Sequence, residues 1–468
     1  MEKFKLSLDS PRVFCSFFIG LVIFFLLLPE FLKVNFQNDF AITYHVIWRN
    51  FLGANYKLSI EIPKPLMVLL HGLLSPKFAY FISVFFSALW VAVSMKLSKR
   101  IVGNYLNGFF AAILMFTASR EIIWSFFIFV RWPIVYVPLV FLQILLFLAK
   151  RYSLCFFVNF LTCLIRPESW FYAPIFIFFI WRDKGKMKLI YFLPFLAPVV
   201  WAFFDYRISG DPLYSYNILK YYINVLLVEF TSFSAYWRVL AQETFSRYNF
   251  VMIFLGCGLL LVTSKLRGHF KQKTLLPVIM VSFPLLLYWG LALKGDLVVV
   301  SRYFCLPLNI IVFYASLIVM FAFGDLPYRK YLNFAYLVLL IALSFNVTHF
   351  NWAKEKVRNE ENVSRAIEEA VEFLLKNQQY IKNCKAISAP FRKDDYLSYL
   401  LGEKKSQKIK SIGKVNFDYL NDNLETPLII IDCNNRYRNF IDEVISSGYT
   451  EQSIYMSSNG LGVVYKIQ

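Results

Sequence analysis

The sequence predicts a polytopic α-helical membrane protein with about eleven transmembrane helices and a small C-terminal α/β domain. Of its 468 residues, 58% are hydrophobic, 19% are aromatic and only 17% are charged. Soluble domains contain roughly 45–50% apolar and about 25% charged residues. The apolar residues are gathered in long runs, and about 20 such residues are needed to cross a bilayer. Composition and run length together exclude an ordinary soluble domain.

Eleven apolar runs are candidate transmembrane spans. They cover approximately residues 12–32, 77–95, 102–118, 133–149, 152–166, 168–181, 188–205, 250–264, 274–293, 303–323 and 331–348. The fifth and sixth runs are short and meet at the Arg166–Glu168 junction. A single re-entrant hairpin is the alternative interpretation of that pair.

Basic residues between the runs assign the two sides of the membrane. If the N-terminus, with Lys3, Lys5 and Arg12, is cytoplasmic, the positive-inside rule requires a basic loop after every even-numbered span. Such loops are "MKLSKR" (95–100), "AKR" (149–151), "WRDKGKMK" (181–188), "SKLRGHFKQK" (264–273) and "YRK" (328–330). Cytoplasmic anchoring thus accounts for the net charge of +19 without nucleic-acid binding. With an odd number of spans, the C-terminal tail is exported.

Two exported loops, residues 33–76 and 206–249, are longer than simple connections require. Each contains aromatic and aliphatic residues at near-helical spacing, in "AITYHVIWRNFLGA" and "YSYNILKYYINVLLVEF". Helices of this kind lie flat in the membrane interface with the apolar face toward lipid, or they pack on the bundle without touching lipid. The sequence leaves both arrangements open.

Residues 350–468 differ in composition from the rest of the chain and predict an exported soluble α/β domain. A charged amphipathic helix follows His349, and its apolar residues form one stripe. The segments "CKAISAP", "TPLIIIDC" and "GLGVVYKI" are typical of strands. Cys384 and Cys433 lie here and can pair if the tail is exported, which the sequence does not decide. No Cys or His spacing typical of a zinc site occurs.

Asp39, which follows Asn38 after the first apolar run, is the candidate catalytic residue. A carboxylate at this position can be a solvated loop residue, a helix N-cap or a general base. The only other acid in the first exported loop is Glu61. Because the loop charges place this loop on the exported face, Asp39 is a candidate base at the outer mouth of the bundle.

Three cations are predicted on the same side of the membrane. Lys64 lies between two prolines in "IPKPL", which restrict its backbone. Arg166 lies with Glu168 in "LIRPESWF", where the two can form the ion pair of a helix-hairpin turn or line an anion-binding cavity. Arg302 precedes Tyr303 in "VSRYFCLP". Other basic residues predicted on this side are Arg120, Arg131 and Lys294. Singly, such residues are usually interfacial anchors, but together they indicate a phosphate site.

A general base beside several cations suits the transfer of a sugar from a polyprenyl phosphate. The leaving group is a phosphate, so no strong general acid is needed, in contrast to the paired carboxylates of glycoside hydrolysis. The cations neutralise the phosphate, and the base takes the proton of the acceptor hydroxyl. A divalent cation can replace or assist the cations, although "ND" at residues 38–39 is not the "DxD" arrangement that indicates metal.

Over roughly residues 1–350, the chain resembles the membrane glycosyltransferases of the GT-C superfamily, which include protein O-mannosyltransferases and aminoarabinose transferases. "QNDF" places Asp39 where that superfamily has a catalytic carboxylate, in a long first exported loop. "PKPL" is similar to the "KPP" segment of the aminoarabinose transferases, except that Leu66 replaces the second proline. "LIRPESW" and "SGDPLYS" (209–215) are similar to segments of bacterial proteins grouped with the superfamily.

The resemblance implies an inverting hexosyltransferase of a prokaryotic plasma membrane, with a polyprenyl-phosphate sugar donor and a lipid, glycan or protein acceptor. It implies that Asp39 is the base. The implied donor-phosphate contacts are Lys64, Arg166 and Arg302, and the implied supporting residues are Glu168, Tyr303, Asn38 and His45. Many members have two acids where this chain has one, so Mg²⁺ or Mn²⁺ stays open as a cofactor.

Two other classes of protein compete with a transferase. A transporter or lipid flippase favours charges at mid-membrane and paired repeats of broken helices, whereas the charges here gather at one mouth and no repeat occurs. A non-enzymatic membrane scaffold with a binding tail leaves the set of Asp39, Lys64 and Arg302 without a role.

Overall fold

The computed structural model describes residues 10–32, 39–54, 56, 62–74, 78–118, 126, 132–183, 185–221, 233–244, 264–294, 303–323, 347–383, 386–388, 394–406, 428–433, 451–458 and 462–467. Helices make up most of this part of the chain, and a four-stranded sheet lies near the C-terminus.

Up to residue 323, the described helices occupy apolar runs of the sequence and also parts of the two long loops. They are α1 (Pro11–Leu32), α2 (Asp39–Phe51), α3 (Pro65–Leu73), α4 (Tyr80–Val102), α5 (Tyr105–Ala118), α6 (Pro133–Leu148), α7 (Tyr152–Cys163), α8 (Tyr172–Arg182), α9 (Ala197–Ser209), α10 (Tyr214–Tyr221), α11 (Phe233–Thr244), α12 (Ser264–Leu293) and α13 (Cys305–Phe323). Two 3₁₀ segments, Pro167–Phe171 and Leu189–Leu196, precede α8 and α9. The helix that begins at Ser264 includes the basic segment "SKLRGHFKQK", which was predicted as a loop.

The C-terminal elements alternate helices and strands. They are α14 (Val347–Lys376), α15 (Gln378–Asn383), β1 (Ala386–Ser388), α16 (Asp394–Leu401), α17 (Glu403–Ser406), β2 (Leu428–Cys433), β3 (Glu451–Met456) and β4 (Gly462–Ile467).

Nine of the eleven predicted spans coincide with described helices, and residues 250–263 and 331–346 of the other two lie outside the described residues. Within the described chain, four helical segments are long and apolar enough to cross a membrane: Tyr80–Val102, Leu189–Ser209, Leu276–Leu293 and Cys305–Ala322. Four shorter apolar helices are Val13–Leu28, Tyr105–Phe116, Pro133–Leu148 and Tyr152–Cys163. The chain is therefore a helical membrane protein, while the number of eleven spans stays a prediction.

The chain divides into two compact units, and the first consists of Met1–Phe36, Tyr80–Trp201 and Leu227–Lys354. In it, α4 packs against α1, α5 and α6, α6 packs against α7, and α12 packs against α13. Gly108 brings α5 close to α4, since a Cβ there would lie 2.3 Å from the carbonyl oxygen of Ser94. Small residues at such contacts let membrane helices approach closely enough for backbone van der Waals contact.

The second unit consists of Gln37–Ala79, Ala202–Leu226 and Glu355–Gln468, and it contains the sheet. The strand order is β1-β2-β4-β3, with β1 parallel to β2 and the other pairs antiparallel. Strands β1, β2 and β4 fall in the segments that the sequence predicts as strands, whereas β3 was not predicted. Residues 407–427 and 434–450 lie outside the described residues, so the extent of the α/β domain and its boundary at residue 350 stay predictions.

Candidate functional site

The break between α7 and α8 carries a buried ion pair. Arg166 follows α7 in extended conformation, and Pro167 begins the next helical turn, where its missing N–H is not needed. The Arg166 Nε donates to Oε2 of Glu168 at 2.9 Å, and Nη2 donates to Oε1 of the same carboxylate. Arg166 is only 8% exposed. The bidentate geometry holds both side chains in one orientation.

Tyr288 of α12 completes this pair from a distant part of the chain. Its hydroxyl donates to Oε1 of Glu168 at 2.7 Å and accepts from Nη2 of Arg166 at 3.2 Å. The guanidinium carbon of Arg166 also lies 4.3 Å from the ring centroid of Trp132 and 4.7 Å from that of Tyr303. These cation–π contacts add to the attraction of Glu168 in keeping a charged arginine in an apolar bundle.

One nitrogen of this guanidinium stays available. Nη1 of Arg166 has no hydrogen-bond partner within the described chain, whereas Nε and Nη2 are occupied by Glu168 and Tyr288. An arginine held in this way offers a fixed donor to an anion. Its charge is largely compensated by Glu168, so an anion bound here needs further cations.

A buried polar network supports the turn that carries the pair. The hydroxyl groups of Tyr136 and Ser169 lie 2.8 Å apart, and Nδ2 of Asn159 donates to the carbonyl oxygen of Ser169 at 3.2 Å. Nε2 of Gln143 donates to Oγ1 of Thr162 at 2.7 Å. Because buried polar groups are costly unless they are hydrogen-bonded, these contacts fix how α6, α7 and the turn meet.

The end of α7 is closed by two tryptophans. The carbonyl oxygen of Cys163 accepts from Nε1 of Trp201 at 2.9 Å and from Nε1 of Trp170 at 3.3 Å. Carbonyl groups in the last turn of a helix have no partner within the helix, so these donors stabilise the helix end just before Arg166.

In the second unit, Asp39 is the first residue of α2, while its side chain and all of Asn38 lie outside the described residues. His45 lies six residues later and is half-buried. Its ring contacts the ring of Tyr399 edge-on, with 6.2 Å between centroids. Burial, together with Arg49, lowers the pKa of His45.

Lys64 immediately precedes α3, whose first residue is Pro65. Its backbone is extended, and its Nζ donates to the carbonyl oxygen of Ile62 at 3.3 Å. The positive end of a helix dipole disfavours a nearby cation and favours an anion. An anion beside Lys64 would therefore interact favourably with both the ammonium group and α3.

His71, on α3, was not predicted as a site residue. It is 1% exposed, and neither ring nitrogen has a hydrogen-bond partner among the described residues. Its ring stacks on Tyr44 of α2, with 5.5 Å between centroids and an interplanar angle of 12°. Burial lowers the pKa of His71 to about 3, so the imidazole is neutral at physiological pH.

The structure brings some of the predicted residues together and leaves others untested. Arg166, Glu168 and Tyr303 form one cluster, to which Trp132 and Tyr288 also belong. Of these two added residues, only Trp132 has a signal in the sequence, because it directly precedes a proline that begins a helix. The other predicted residues are Asp39, Asn38, His45 and Lys64, which belong to the second unit, and Arg302, Arg120 and Arg131, which lie outside the described residues. Their proximity to Arg166 stays a prediction.

No group of three His, Cys, Asp or Glu side chains in the described chain lies close enough to hold a metal ion. The side chain of Asp39 and all of Glu61 lie outside those residues. The question of Mg²⁺ or Mn²⁺ therefore stays open.

The sequence matches no protein-family model and no curated protein. Among solved structures, it is similar to ArnT from Cupriavidus metallidurans bound to undecaprenyl phosphate, with a TM-score of 0.57 and 10% sequence identity. The similarity covers 98% of this chain and 98% of that chain. The chain shares the fold of ArnT. The GT-C resemblance predicted from the sequence is thus confirmed at the level of fold.

Proposed function

We propose that this protein is a membrane glycosyltransferase that transfers a sugar from a polyprenyl-phosphate donor to an acceptor on the exported side of the membrane. The observation that carries the proposal is a fold shared along 98% of both chains with a protein solved in complex with undecaprenyl phosphate. A clustered arginine with one available donor nitrogen adds to it.

The donor phosphate is assigned to Lys64, Arg166 and Arg302. Arg166 contributes Nη1 as an oriented hydrogen-bond donor, while Glu168, Tyr288 and the flanking rings keep the guanidinium in place. Because Glu168 compensates much of the charge of Arg166, the neutralisation of the phosphate falls mainly to Lys64 and Arg302. Positive groups aimed at the leaving phosphate stabilise the charge that develops there.

Asp39 is assigned as the general base. The acceptor hydroxyl attacks C1 of the sugar from the side opposite the phosphate, and its proton passes to Asp39. The bond between C1 and the phosphate oxygen breaks, with its electron pair leaving on the phosphate, so the configuration at C1 inverts. Asp39 begins α2, and the positive end of a helix dipole favours the ionised carboxylate that a base must be.

Replacement of the base tests the proposal most directly. Asp39→Asn is expected to lower kcat by about 10²–10⁴-fold, which is the usual contribution of general base catalysis, with little change in undecaprenyl-phosphate binding. Transfer is measured in proteoliposomes with a panel of radiolabelled polyprenyl-phosphate sugars.

Glu61→Gln, which changes the only other acid of the first exported loop, is the matched control and is expected to keep its activity. Full activity of Asp39→Asn would remove the assignment of the base. Movement of the labelled lipid between leaflets without sugar transfer would favour a lipid flippase instead.

A further inference from the structure

The hydrophobic core of the C-terminal region contains two residues of the first exported loop. Ile42 and Val46 of α2 belong to one buried cluster with residues of α14, α15, β1, α16 and β4. Val46 is 1% exposed and Ile42 is 7% exposed. The members from the C-terminal region are Val363, Ala366, Ile367, Ala370, Val371, Leu374, Ile381, Ile387, Leu397, Leu401 and Val464. The two regions thus share a core although more than 300 residues of chain separate them.

Among the elements of the C-terminal region, α16 packs against α2. Leu397 and Leu401 of α16 lie in the same buried cluster as Ile42 and Val46. Tyr399, on the same helix, contacts the ring of His45. The contact therefore combines buried aliphatic side chains with an aromatic pair at the edge.

A second surface of α2 packs on α3. The rings of Tyr44 and His71 stack, and a Cβ on Gly72 would lie 2.3 Å from Cγ of Trp48, so only glycine allows this approach. Contacts from both α3 and α16 leave α2 little freedom to rotate about its axis.

Helix α2 connects this packing to its first residue. Asp39 begins the same continuous helix that carries Ile42 and Val46. A helix of this length behaves as a rigid body. Packing that holds two turns of α2 in place therefore also sets the position and rotation of every residue along the helix, including the first.

We propose that the C-terminal domain is a positioning element for the first exported loop, and that α16 holds α2 in the rotation that presents Asp39 for catalysis. The proposal rests on the proposed function, in which Asp39 is the base. We assign Leu397, which is 0% exposed on α16, as a positioning residue.

The test compares two leucine-sized truncations in the full-length protein. Leu397→Ala removes packing from α16, whereas Ile387→Ala removes the same number of carbons from β1, in the same buried cluster. Hydrogen exchange of residues 39–51 is measured for both, together with kcat and KM for the donor. Leu397→Ala is expected to lower the protection of α2 and to lower kcat by about 10–100-fold with KM little changed, because a displacement of about 1 Å at a catalytic group has an effect of this size.

Ile387→Ala is expected to weaken the domain to a similar degree while leaving α2 protection and kcat near those of the wild type. Leu397→Met, which preserves the volume of the side chain, is expected to keep the protection of α2 and kcat near those of the wild type. Equal loss of α2 protection and kcat in Leu397→Ala and Ile387→Ala, or wild-type protection of α2 in Leu397→Ala, would overturn the proposal.

A further variant and the choice of conditions complete the test. Tyr399→Ala removes the aromatic contact with His45. Because the Tyr399 side chain is 41% exposed, this change preserves the buried cluster, and we expect a smaller fall in kcat than for Leu397→Ala. The exchange of α2 is measured without substrate, so it tests the positioning role even if Asp39→Asn proves active and the assigned base is wrong.

Discussion

At the scale of single residues, Arg166 shows how a buried charge is held in place inside an apolar bundle. Glu168 neutralises it, Tyr288 bonds to both partners, and two aromatic rings flank the guanidinium. A buried ion pair adds little net stability compared with apolar residues of the same volume, because its desolvation opposes its attraction. We infer that the pair serves orientation rather than stability.

Glu168→Gln tests the pair. It leaves the charge of Arg166 buried without its partner, so we expect a loss of up to about 3–5 kcal/mol in the free energy of unfolding. Asp183→Asn is the matched control, since Asp183 pairs with Arg182 at 3.1 Å on side chains that are about half exposed, and exposed pairs contribute about 0–1 kcal/mol. Denaturant unfolding in one detergent compares the two, and equal losses would contradict the role given to Glu168.

At the scale of elements, the stability of the α2–α3 pair is expected to depend on pH. Burial holds the pKa of His71 at about 3, whereas an unfolded histidine titrates near 6.5. Between these pH values the unfolded state binds the extra proton, so the stability contributed by this group is complete above pH 6.5 and falls as the pH is lowered toward 3.

His71→Phe keeps an aromatic ring against Tyr44 and removes the titration. Between pH 6.5 and 3, wild-type stability is expected to fall with pH more steeply than that of the variant, by up to about 1.4 kcal/mol per pH unit. Unfolding of the α2–α3 segment is followed by hydrogen exchange at a series of pH values. His45→Gln, at a half-buried histidine, provides the comparison and should change the slope less; identical slopes for wild type and His71→Phe would contradict a buried neutral imidazole.

At the scale of the whole molecule, the proposed function predicts recognition of a lipid phosphate. Undecaprenyl phosphate is expected to raise the Tm of the detergent-solubilised protein, because a ligand that binds only the folded state stabilises it. In the proposed site, Lys64→Ala removes a charge-assisted contact to the phosphate worth about 1.5–3 kcal/mol, so the Kd for undecaprenyl phosphate should rise at least about tenfold. Undecaprenol, which lacks the phosphate, is the control, and an equal shift in Tm with undecaprenol would argue against a phosphate site.

The sequence by itself determined the features that depend on local composition. Long apolar runs predicted the positions of nine described helices, because hydrophobic length is a property of a continuous segment. The ionisable residues in "LIRPESWF" indicated that Arg166 and Glu168 either pair or line an anion-binding cavity, since charges in an apolar run need a partner close by, and the structure shows that they pair.

Only the tertiary structure decided which distant residues meet. Tyr288 joins Glu168 from 120 positions away, β3 forms by pairing with β4, and His71 becomes buried because α3 packs on α2. Likewise, "AITYHVIWRNF" is equally typical of an interfacial helix and of a packed one, and the structure places Ile42 and Val46 in one buried cluster with residues of the C-terminal region. The physical reason is that an amphipathic pattern specifies a face to be buried and not the surface that buries it. That choice depends on how segments far apart in the chain fit together.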